Sequence, residues 1–248
     1  MKTLTNQTLL FDEDCPLCRI YTSGFIKAGM LDENGKKPYC QLSDEEQNFI
    51  DVERASNEIA LVDNENKTVI YGIDSLLKVI GFSFPWIEKV GNIKPIKYFL
   101  KKLYSFISYN RKVIIPSKIN KEIKLQCVPD FSYKYRILYI LFTVFISSLI
   151  INQYLISFSI LKIISFFAVL LLVQCTLVLN HSKEIILNYF GNFSTSILFG
   201  TLLLLPLLFL NSITNLPEIS LKTYFYTIIF IVIIDVFRRI QIIKFNVK

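Results

Sequence analysis

The sequence has little charge, one histidine and few cysteines. Charged residues make up 19% of its 248 residues, against about a quarter in soluble domains, and the mean hydropathy is +0.46. This composition argues against a disordered chain, a fibrous protein or a single soluble globule. The five cysteines are odd in number and only two are closely spaced, so they do not form the disulfide framework of a small secreted protein. Met1–Phe11 lacks the apolar core of a secretory signal, and we expect none there.

The charges that are present lie mostly in the first half of the chain. Residues 137–248 contain 7 Lys and Arg and 3 Asp and Glu, whereas residues 1–136 contain 20 and 17. A polar segment of domain size therefore precedes an apolar segment. The sequence predicts a membrane protein with a polar head.

The apolar half contains four long runs with few or no charges. A membrane span needs about 20 apolar residues, so we predict four transmembrane helices within residues 135–240. Their expected positions are about 135–153, 158–179, 193–210 and 221–237. Asp235, near the end of the fourth, is followed by arginines three and four residues later, which predicts local ion pairs.

Basic residues flank the predicted spans unevenly. The cations before the first span and after the fourth are Lys118, Lys121, Lys124, Lys134, Arg136, Arg238, Arg239, Lys244 and Lys248. Of the two loops that would face the other side, one has no charge and the other has Glu218 with Lys222. The positive-inside rule then predicts an integral protein of the inner (cytoplasmic) membrane, with the N-terminal head and the C-terminus in the cytoplasm.

The segment before the first span is strongly basic. Residues 92–136 contain 11 Lys and Arg but only 2 Asp and Glu. A basic stripe beside an apolar run predicts contact with anionic membrane lipid and not with nucleic acid. Residues 93–109 are expected to form a helix that completes the core of the head, lies on the membrane or does both. Residues 117–134 are expected to form a basic juxtamembrane linker. The apolar face of the 93–109 helix consists of Ile96, Phe99, Leu100, Leu103 and Ile107.

The head, residues 1–116, has the pattern of an α/β domain. Its predicted elements are a strand at Thr5–Phe11, a helix from Cys18 to about Met30, a strand at Pro38–Leu42, a helix capped by Ser43, a hairpin of Ile59–Val62 with Thr68–Tyr71, and a helix that Asp74 caps and that ends at Ile80. This β-α-β-α-β-β-α order is typical of a thioredoxin-like core. The predicted fold is therefore an α/β thioredoxin-like N-terminal domain followed by an all-α transmembrane domain of about four helices.

The strongest motif is Cys15-Pro16-Leu17-Cys18, placed after a predicted strand and at the start of a predicted helix. Backbone N–H groups and the dipole at a helix start stabilise a thiolate on the first cysteine. The second cysteine lies one turn later and can close a disulfide ring, so the pair fits attack on a disulfide followed by resolution of the mixed disulfide. Asp12 is either a proton acceptor for Cys18 or a residue that caps the loop.

Other interpretations of the cysteine pair stay open. The pair can be structural, or it can form half of a zinc site, which needs about four ligands. The remaining candidate ligands are Cys40, Cys127, Cys175 and His181, and none has a paired spacing. We therefore predict no metal and no cofactor. Cys40 follows a strand that would lie beside the first, so it is either close to the motif or a buried structural thiol.

The segment from Phe11 to Cys18, with Asp12, Cys15 and Cys18, resembles the signature of the DCC family of predicted thiol–disulfide oxidoreductases, named for an Asp-x-x-Cys-x-x-Cys motif. The resemblance covers about residues 8–116 and includes Gln41-Leu42-Ser43, Asp74-Ser75-Leu76-Leu77, Pro85-Trp86 and Asn110-Arg111. It implies a thioredoxin-like fold with Cys15 as nucleophile, Cys18 as resolving thiol and Asp12 as the signature acid. Glu13 stands where the family usually has glycine, and its charge would raise the pKa of Cys15. Lys112 stands where the family often has tyrosine.

The sequence thus predicts a membrane-anchored thiol–disulfide oxidoreductase that reduces disulfides on the cytosolic side, because that compartment is reducing. Its expected partners are a disulfide-containing protein or a small thiol, together with membrane lipid. The alternative is a membrane carrier or scaffold whose cysteine pair is incidental or binds metal. Facing polar residues inside the spans would favour that alternative.

Overall fold

The computed structural model describes residues 2–118, 125, 127–154, 159–178, 180–214 and 216–247. The chain divides into two compact units, a head unit at Met1–Phe131 and a helical unit at Ser132–Lys248. Lys121, Lys124 and Lys248, which contribute to the predicted basic flanks, lie outside the described residues.

The head unit contains a mixed sheet of four strands. The strands are β1 at Gln7–Phe11, β2 at Lys36–Pro38, β3 at Ala60–Asp63 and β4 at Thr68–Tyr71. Their order across the sheet is β2-β1-β3-β4, with β1 parallel to β2 and antiparallel to β3, and with β3 and β4 forming a hairpin. The first strand and the hairpin are confirmed where the sequence predicted them.

In the part of the head unit that the structure describes, six α-helices surround this sheet. They are α1 at Pro16–Lys27, α2 at Asp44–Gln47, α3 at Val52–Asn57, α4 at Ile73–Ser83, α5 at Pro85–Gly91 and α6 at Lys94–Ile114. Ser43 caps α2 as predicted, because its side chain accepts the N–H of Glu46 while the Glu46 carboxylate accepts the N–H of Ser43.

Both faces of the sheet are covered, as the alternation of side chains along β1 and β3 shows. Leu10 and Val62 belong to a cluster with the buried Tyr39 and other residues between β2 and α3. Leu9 and Leu61 point to the opposite face and pack in a second cluster with apolar residues of α1, α4 and α6. The turn that follows β1 is therefore held between two packed layers.

Two predictions about the head were wrong in detail. The second strand was expected at Pro38–Leu42 but lies at Lys36–Pro38, and Tyr39–Gln41 forms a single 3₁₀ turn. Tyr39 is buried there and its hydroxyl donates to the Val52 carbonyl at 2.8 Å, which fixes the chain away from the sheet. The fourth helix was expected to be capped by Asp74, but Gly72 is its N-cap, with a φ of 65° that favours glycine.

Among its described residues, the helical unit contains four helices, of which three are long and apolar enough to cross a membrane. The helices are α7 at Tyr133–Tyr154, α8 at Ile160–Val178, α9 at Lys183–Thr214 and α10 at Glu218–Val247. The candidate spans are α7, α9 and the Glu218–Ile243 part of α10.

The predicted span at 158–179 corresponds to α8, which is not among those three. Its apolar part, Ile160–Thr176, rises about 26 Å at 1.5 Å per residue, less than the bilayer core of about 30 Å. Residues 158 and 179, at the ends of the predicted span, lie outside the described part of the chain. By length and composition the count is therefore three, and the fourth span stays a prediction.

Hydrogen bonds between helices show that α7 and α9 run parallel. The Tyr139 and Thr195 hydroxyls are 2.9 Å apart, and the Thr201 hydroxyl donates to Ser147 at 3.4 Å. Both partners advance along the chain from the first contact to the second. The two helices therefore point in the same direction.

The last helix, α10, runs antiparallel to α9. Ser196 donates to Asp235 at 2.8 Å, and Tyr224 donates to the Leu203 carbonyl at 3.0 Å. The residue number on α10 therefore falls as the residue number on α9 rises. The predicted ion pairs of Asp235 are confirmed, at 2.6 Å to Arg238 and 2.7 Å to Arg239. The helical unit thus contains facing polar groups that the sequence did not place together.

Candidate functional site

The two cysteines of the motif occupy the junction of β1 and α1. Cys15 is the N-cap of α1, Pro16 is its first residue, and Cys18 lies in its first turn. The N–H of Cys15 donates to the Asp12 carbonyl at 3.2 Å, which closes the turn between strand and helix. Proline fits the first helical position because its missing N–H would have no helical partner there. The local sequence therefore places both sulfurs at the N-terminal end of a 12-residue helix.

The two thiols are both buried, and their pKa values are shifted in opposite directions. Cys15 is 0% exposed and Cys18 is 4% exposed, and both are free thiols. The hydrogen bond from Cys18 lowers the pKa of Cys15 to about 6, against the opposing effects of burial and of the Asp12 charge. The same hydrogen bond, together with burial, raises the pKa of Cys18. Near neutral pH, Cys15 is the thiolate and Cys18 keeps its proton.

The predicted site residue Asp12 lies beside this pair and is itself buried. Its Oδ1 accepts the N–H of Asp14 at 3.0 Å, so the loop-capping interpretation has a contact in the structure. Its Oδ2 lies 2.7 Å from the Lys112 ammonium and 3.7 Å from the Arg111 guanidinium. These contacts have the distances of ion pairs without the alignment of hydrogen bonds. A proton-acceptor role for Asp12 stays a prediction.

Arg111 of α6 brings a buried positive charge to the site. Its guanidinium donates to the Ser56 carbonyl at 2.9 Å and to the Ser108 hydroxyl at 3.3 Å. The side chain is only 6% exposed, and its charge acts to lower the pKa of both Cys15 and Cys18. In the sequence, Asn110-Arg111 is notable only as part of the family resemblance. The signal that distinguishes Arg111, its packing against β1 and α3, exists only in the folded chain.

A third cysteine, Cys127, also reaches this region and was not predicted to do so. Its Sγ lies 3.4 Å from the Arg111 guanidinium. With Asp12, Cys18 and Tyr21 it lines a cavity of about 10 Å³, about the smallest space that admits one water. Burial raises the pKa of Cys127 to about 12, although Arg111 acts in the opposite direction. Cys127 is therefore a protonated thiol at neutral pH.

Cys40 and Glu13 pair with each other. The Cys40 thiol donates to the Glu13 carboxylate at 3.4 Å, and burial, with this hydrogen bond, raises the pKa of Cys40. Both residues line a second small cavity with Asp12 and Cys127. Cys40 therefore lies in the neighbourhood of the motif, which was one of its two predicted placements. The carboxylate that acts on the pKa of Cys15 is that of Asp12.

Within the described part of the chain, no group of three or more His, Cys, Asp or Glu side chains is arranged to hold a metal ion. The chemistry that the site offers is that of its sulfurs, its buried acid and its two cations. Comparison of the chain with models of protein families, with curated proteins and with solved structures found no match.

Proposed function

We propose that this protein is a membrane-anchored thiol–disulfide oxidoreductase, with Cys15 as nucleophile and Cys18 as resolving thiol. The observation that carries the proposal is the placement of two buried thiols at the start of α1, with Cys15 as the N-cap and Cys18 in the first turn. The lowered pKa of Cys15 and the raised pKa of Cys18 agree with that placement. A nucleophile and a proton-bearing partner one helical turn later are what a dithiol mechanism requires.

The reaction proceeds in two exchanges. The Cys15 thiolate attacks a substrate disulfide, forms a mixed disulfide with one half and releases the other half as a thiolate. Cys18 then loses its proton and attacks the Cys15 sulfur, which forms the Cys15–Cys18 disulfide and releases the second substrate thiolate. The substrate gains two electrons and the protein dithiol loses two. A reducing dithiol or glutathione-type thiol regenerates the protein by the reverse exchange.

Access to the nucleophile requires a local movement. Cys15 has no exposed surface, so a substrate sulfur cannot reach it in the described conformation. The turn between Asp12 and Cys15 is the segment whose displacement would uncover the sulfur, because it carries Cys15 itself and is a short segment closed by local hydrogen bonds of 3.0 and 3.2 Å.

Arg111, Lys112 and Asp12 act as positioning residues in this proposal. The cations of α6 compensate the buried Asp12 carboxylate, whose charge otherwise raises the pKa of Cys15. Arg111 additionally favours the thiolate directly through its charge. Loss of either cation should therefore reduce the thiolate fraction of Cys15 without removing a sulfur.

Two observations support a thioredoxin-like fold and membership of the DCC family. The chain order of strands and helices, with the sheet order β2-β1-β3-β4, agrees with a thioredoxin-like core. Asp12 and Arg111, which belong to separate parts of the family resemblance, lie 3.7 Å apart although 99 positions separate them. Asp12 and Arg111 therefore lie together beside the CxxC pair.

The experiment that tests the proposal uses the full chain in detergent or in vesicles. A redox titration followed by thiol alkylation and peptide mass mapping should show one reversible disulfide, Cys15–Cys18. Cys15→Ser should abolish disulfide reduction, whereas Cys18→Ser should accumulate mixed disulfides on Cys15. Cys175→Ser, a change in the helical unit, is the matched control and should leave both readouts unchanged. An oxidised species that links Cys15 to Cys40 or Cys127 would contradict the assignment of Cys18.

The location of the head follows as part of the same proposal. Three helices are long and apolar enough to cross a membrane, so the protein is a membrane protein by length and composition. We place the head and the C-terminus on the cytoplasmic side of the inner membrane because of the basic flanks. In that reducing compartment the dithiol would act as a reductant.

One observation favours the alternative of a membrane carrier. Ser196 and Arg239 both contact Asp235, and Asn192 accepts from Arg239 at 3.3 Å, so α9 and α10 share a buried polar cluster. Intramembrane charges of this kind commonly line ion or proton paths. Vesicles that contain a pH dye and the full chain would test it under an imposed potential. Proton entry that disappears in Asp235→Asn and persists in Cys15→Ser would support the carrier.

A further inference from the structure

The head unit exposes an unusual amount of apolar surface on two consecutive helices. On α6, Phe99, Leu103 and Ile107 recur every four residues and are 63%, 41% and 39% exposed. On α5, Trp86 and Val90 have the same spacing and are 65% and 42% exposed. We call these five residues, with Ile93 between the helices, the α5–α6 surface. Monomeric soluble domains rarely leave such rows uncovered.

The exposed row of α6 is distinct from the row that fixes this helix to the head. The N–H of Ile59 donates to the Tyr104 hydroxyl at 2.7 Å, and Ser108 donates to the Asn57 carbonyl at 2.7 Å. Tyr104 also packs in the core cluster that contains Leu9 and Leu61. The helix therefore serves as a core element with one face, and its Phe99–Ile107 face is left for another contact. The two roles expected for this helix are both compatible with its packing.

Positive charges border the α5–α6 surface. Lys97 and Lys101 of α6 are paired with Asp74 at 2.7 and 3.7 Å. Lys89, Lys94 and Lys102 are exposed, and among the described residues none of the three has a carboxylate within 4.0 Å. The Lys102 ammonium lies 5.4 Å from the Tyr98 ring centre, which keeps an aromatic group and a cation together.

We propose that the α5–α6 surface is a membrane-docking surface whose occupant is the face of an anionic lipid bilayer. Exposed aliphatic rows, a tryptophan, a tyrosine and uncompensated lysines are the composition of helices that lie in the headgroup region. The lysines select anionic lipid, and the apolar rows enter the boundary between headgroups and acyl chains. Only residues 115–132 separate α6 from the first long apolar helix, so the chain itself keeps the surface near a bilayer.

The chain offers its own reporter, because Trp86 is its only tryptophan. The full chain is reconstituted in vesicles of neutral lipid or of neutral and anionic lipid, each with and without brominated acyl chains, which quench tryptophan on contact. We expect brominated lipid to quench Trp86 strongly in anionic vesicles at low salt and weakly at high salt. The double variant Trp86→Phe/Leu103→Trp should behave in the same way, because it moves the reporter to the α6 row.

Matched variants separate this surface from the rest of the head. Lys94→Gln with Lys102→Gln should lower the docked-to-undocked ratio about fivefold per lysine removed. Lys27→Gln with Lys67→Gln, which removes one exposed cation of α1 and one of the turn between β3 and β4, should leave the quenching unchanged. Trp86→Phe/Ile20→Trp places the reporter at a site of 64% exposure on α1 and should escape lipid quenching.

Two results would overturn the proposal. Free access of aqueous iodide to Trp86 in anionic vesicles, with no quenching by brominated lipid, would show an uncovered surface. Protection of Trp86 from both quenchers would show that protein, such as a second copy of this chain, covers it. Neither readout depends on the redox activity, so the docking surface and the proposed function can fail separately.

Discussion

The hydrogen bond between the two motif thiols can be tested by changing only its donor. Cys18→Ala removes the donor, whereas Cys18→Ser keeps an O–H group at nearly the same place. A hydrogen bond to a charged acceptor contributes about 1.5–3 kcal/mol, and a pKa change of one corresponds to about 1.4 kcal/mol. Cys18→Ala should therefore raise the pKa of Cys15 from about 6 to about 7–8 or higher. Cys18→Ser should leave it much nearer to 6.

The assay is the pH dependence of Cys15 alkylation by iodoacetamide in the full chain, read by mass spectrometry of the Cys15 peptide. At pH 7 a thiol with a pKa of about 6 is about nine-tenths ionised, and one with a pKa of about 8 is about one-tenth ionised. The alanine variant should thus react up to about tenfold more slowly at pH 7, with a smaller difference at pH 9. Burial of Cys15 slows both variants alike, so their ratio isolates ionisation. Equal profiles for Ala and Ser would refute the reasoning and assign the thiolate to Arg111 and the helix start.

Four further outcomes are expected. Lys112→Gln should lower the free energy of unfolding of the head by about 1–3 kcal/mol in urea, because it removes the nearest positive charge from the buried Asp12 carboxylate. Lys101→Gln, which breaks an exposed ion pair, is the control and should lower it by at most about 1 kcal/mol. Relative to Cys15→Ser, the stability of the reduced protein should rise from about pH 6 to about pH 9, because the unfolded Cys15 still binds the proton that the folded thiol has lost. Above pH 9 the difference should level off, because the unfolded thiol has then lost its proton as well, and a flat difference between pH 6 and pH 9 would contradict the lowered pKa of Cys15. Cys127→Ser should leave the Cys15–Cys18 disulfide in the peptide map, since Cys127 is protonated at neutral pH. Reporter fusions after Lys248 and between Thr214 and Glu218, where α9 ends and α10 begins, should report opposite sides of the membrane, and the same side would exclude a membrane crossing by α10.

Elements with a complete local signal were predictable from the sequence. The hairpin follows from two apolar runs around a turn-forming segment, and the Ser43 cap follows from acids in the next turn. The strand at Lys36–Pro38 was misplaced because pairing with β1, and not its own composition, sets its position. The helix Val52–Asn57 is too short to show a helical period, and it was missed.

The site residues also differ in whether a local sequence pattern predicts them. The CxxC pair and Asp12 lie within seven positions, so spacing alone brings them together. Arg111, Lys112 and Cys127 reach them only because α6 and the residues after it pack beside β1 and α3, and no local pattern encodes that packing. Lys112 was noted only as a departure from the family pattern, although it makes the shortest contact with Asp12.

The parallel packing of α7 and α9 has a consequence for the path of the chain. Two successive long helices can point the same way only if the chain between Tyr154 and Lys183 travels back over the same height. A 22-residue α7 rises about 33 Å, and the 19 residues of α8 supply about 29 Å of return. If α7 and α9 both cross the bilayer, α8 carries the chain back across it between them. If α10, which is antiparallel to α9, crosses as well, the number of crossings is even, and the entry to α7 and the exit from α10 lie at the same face of the membrane.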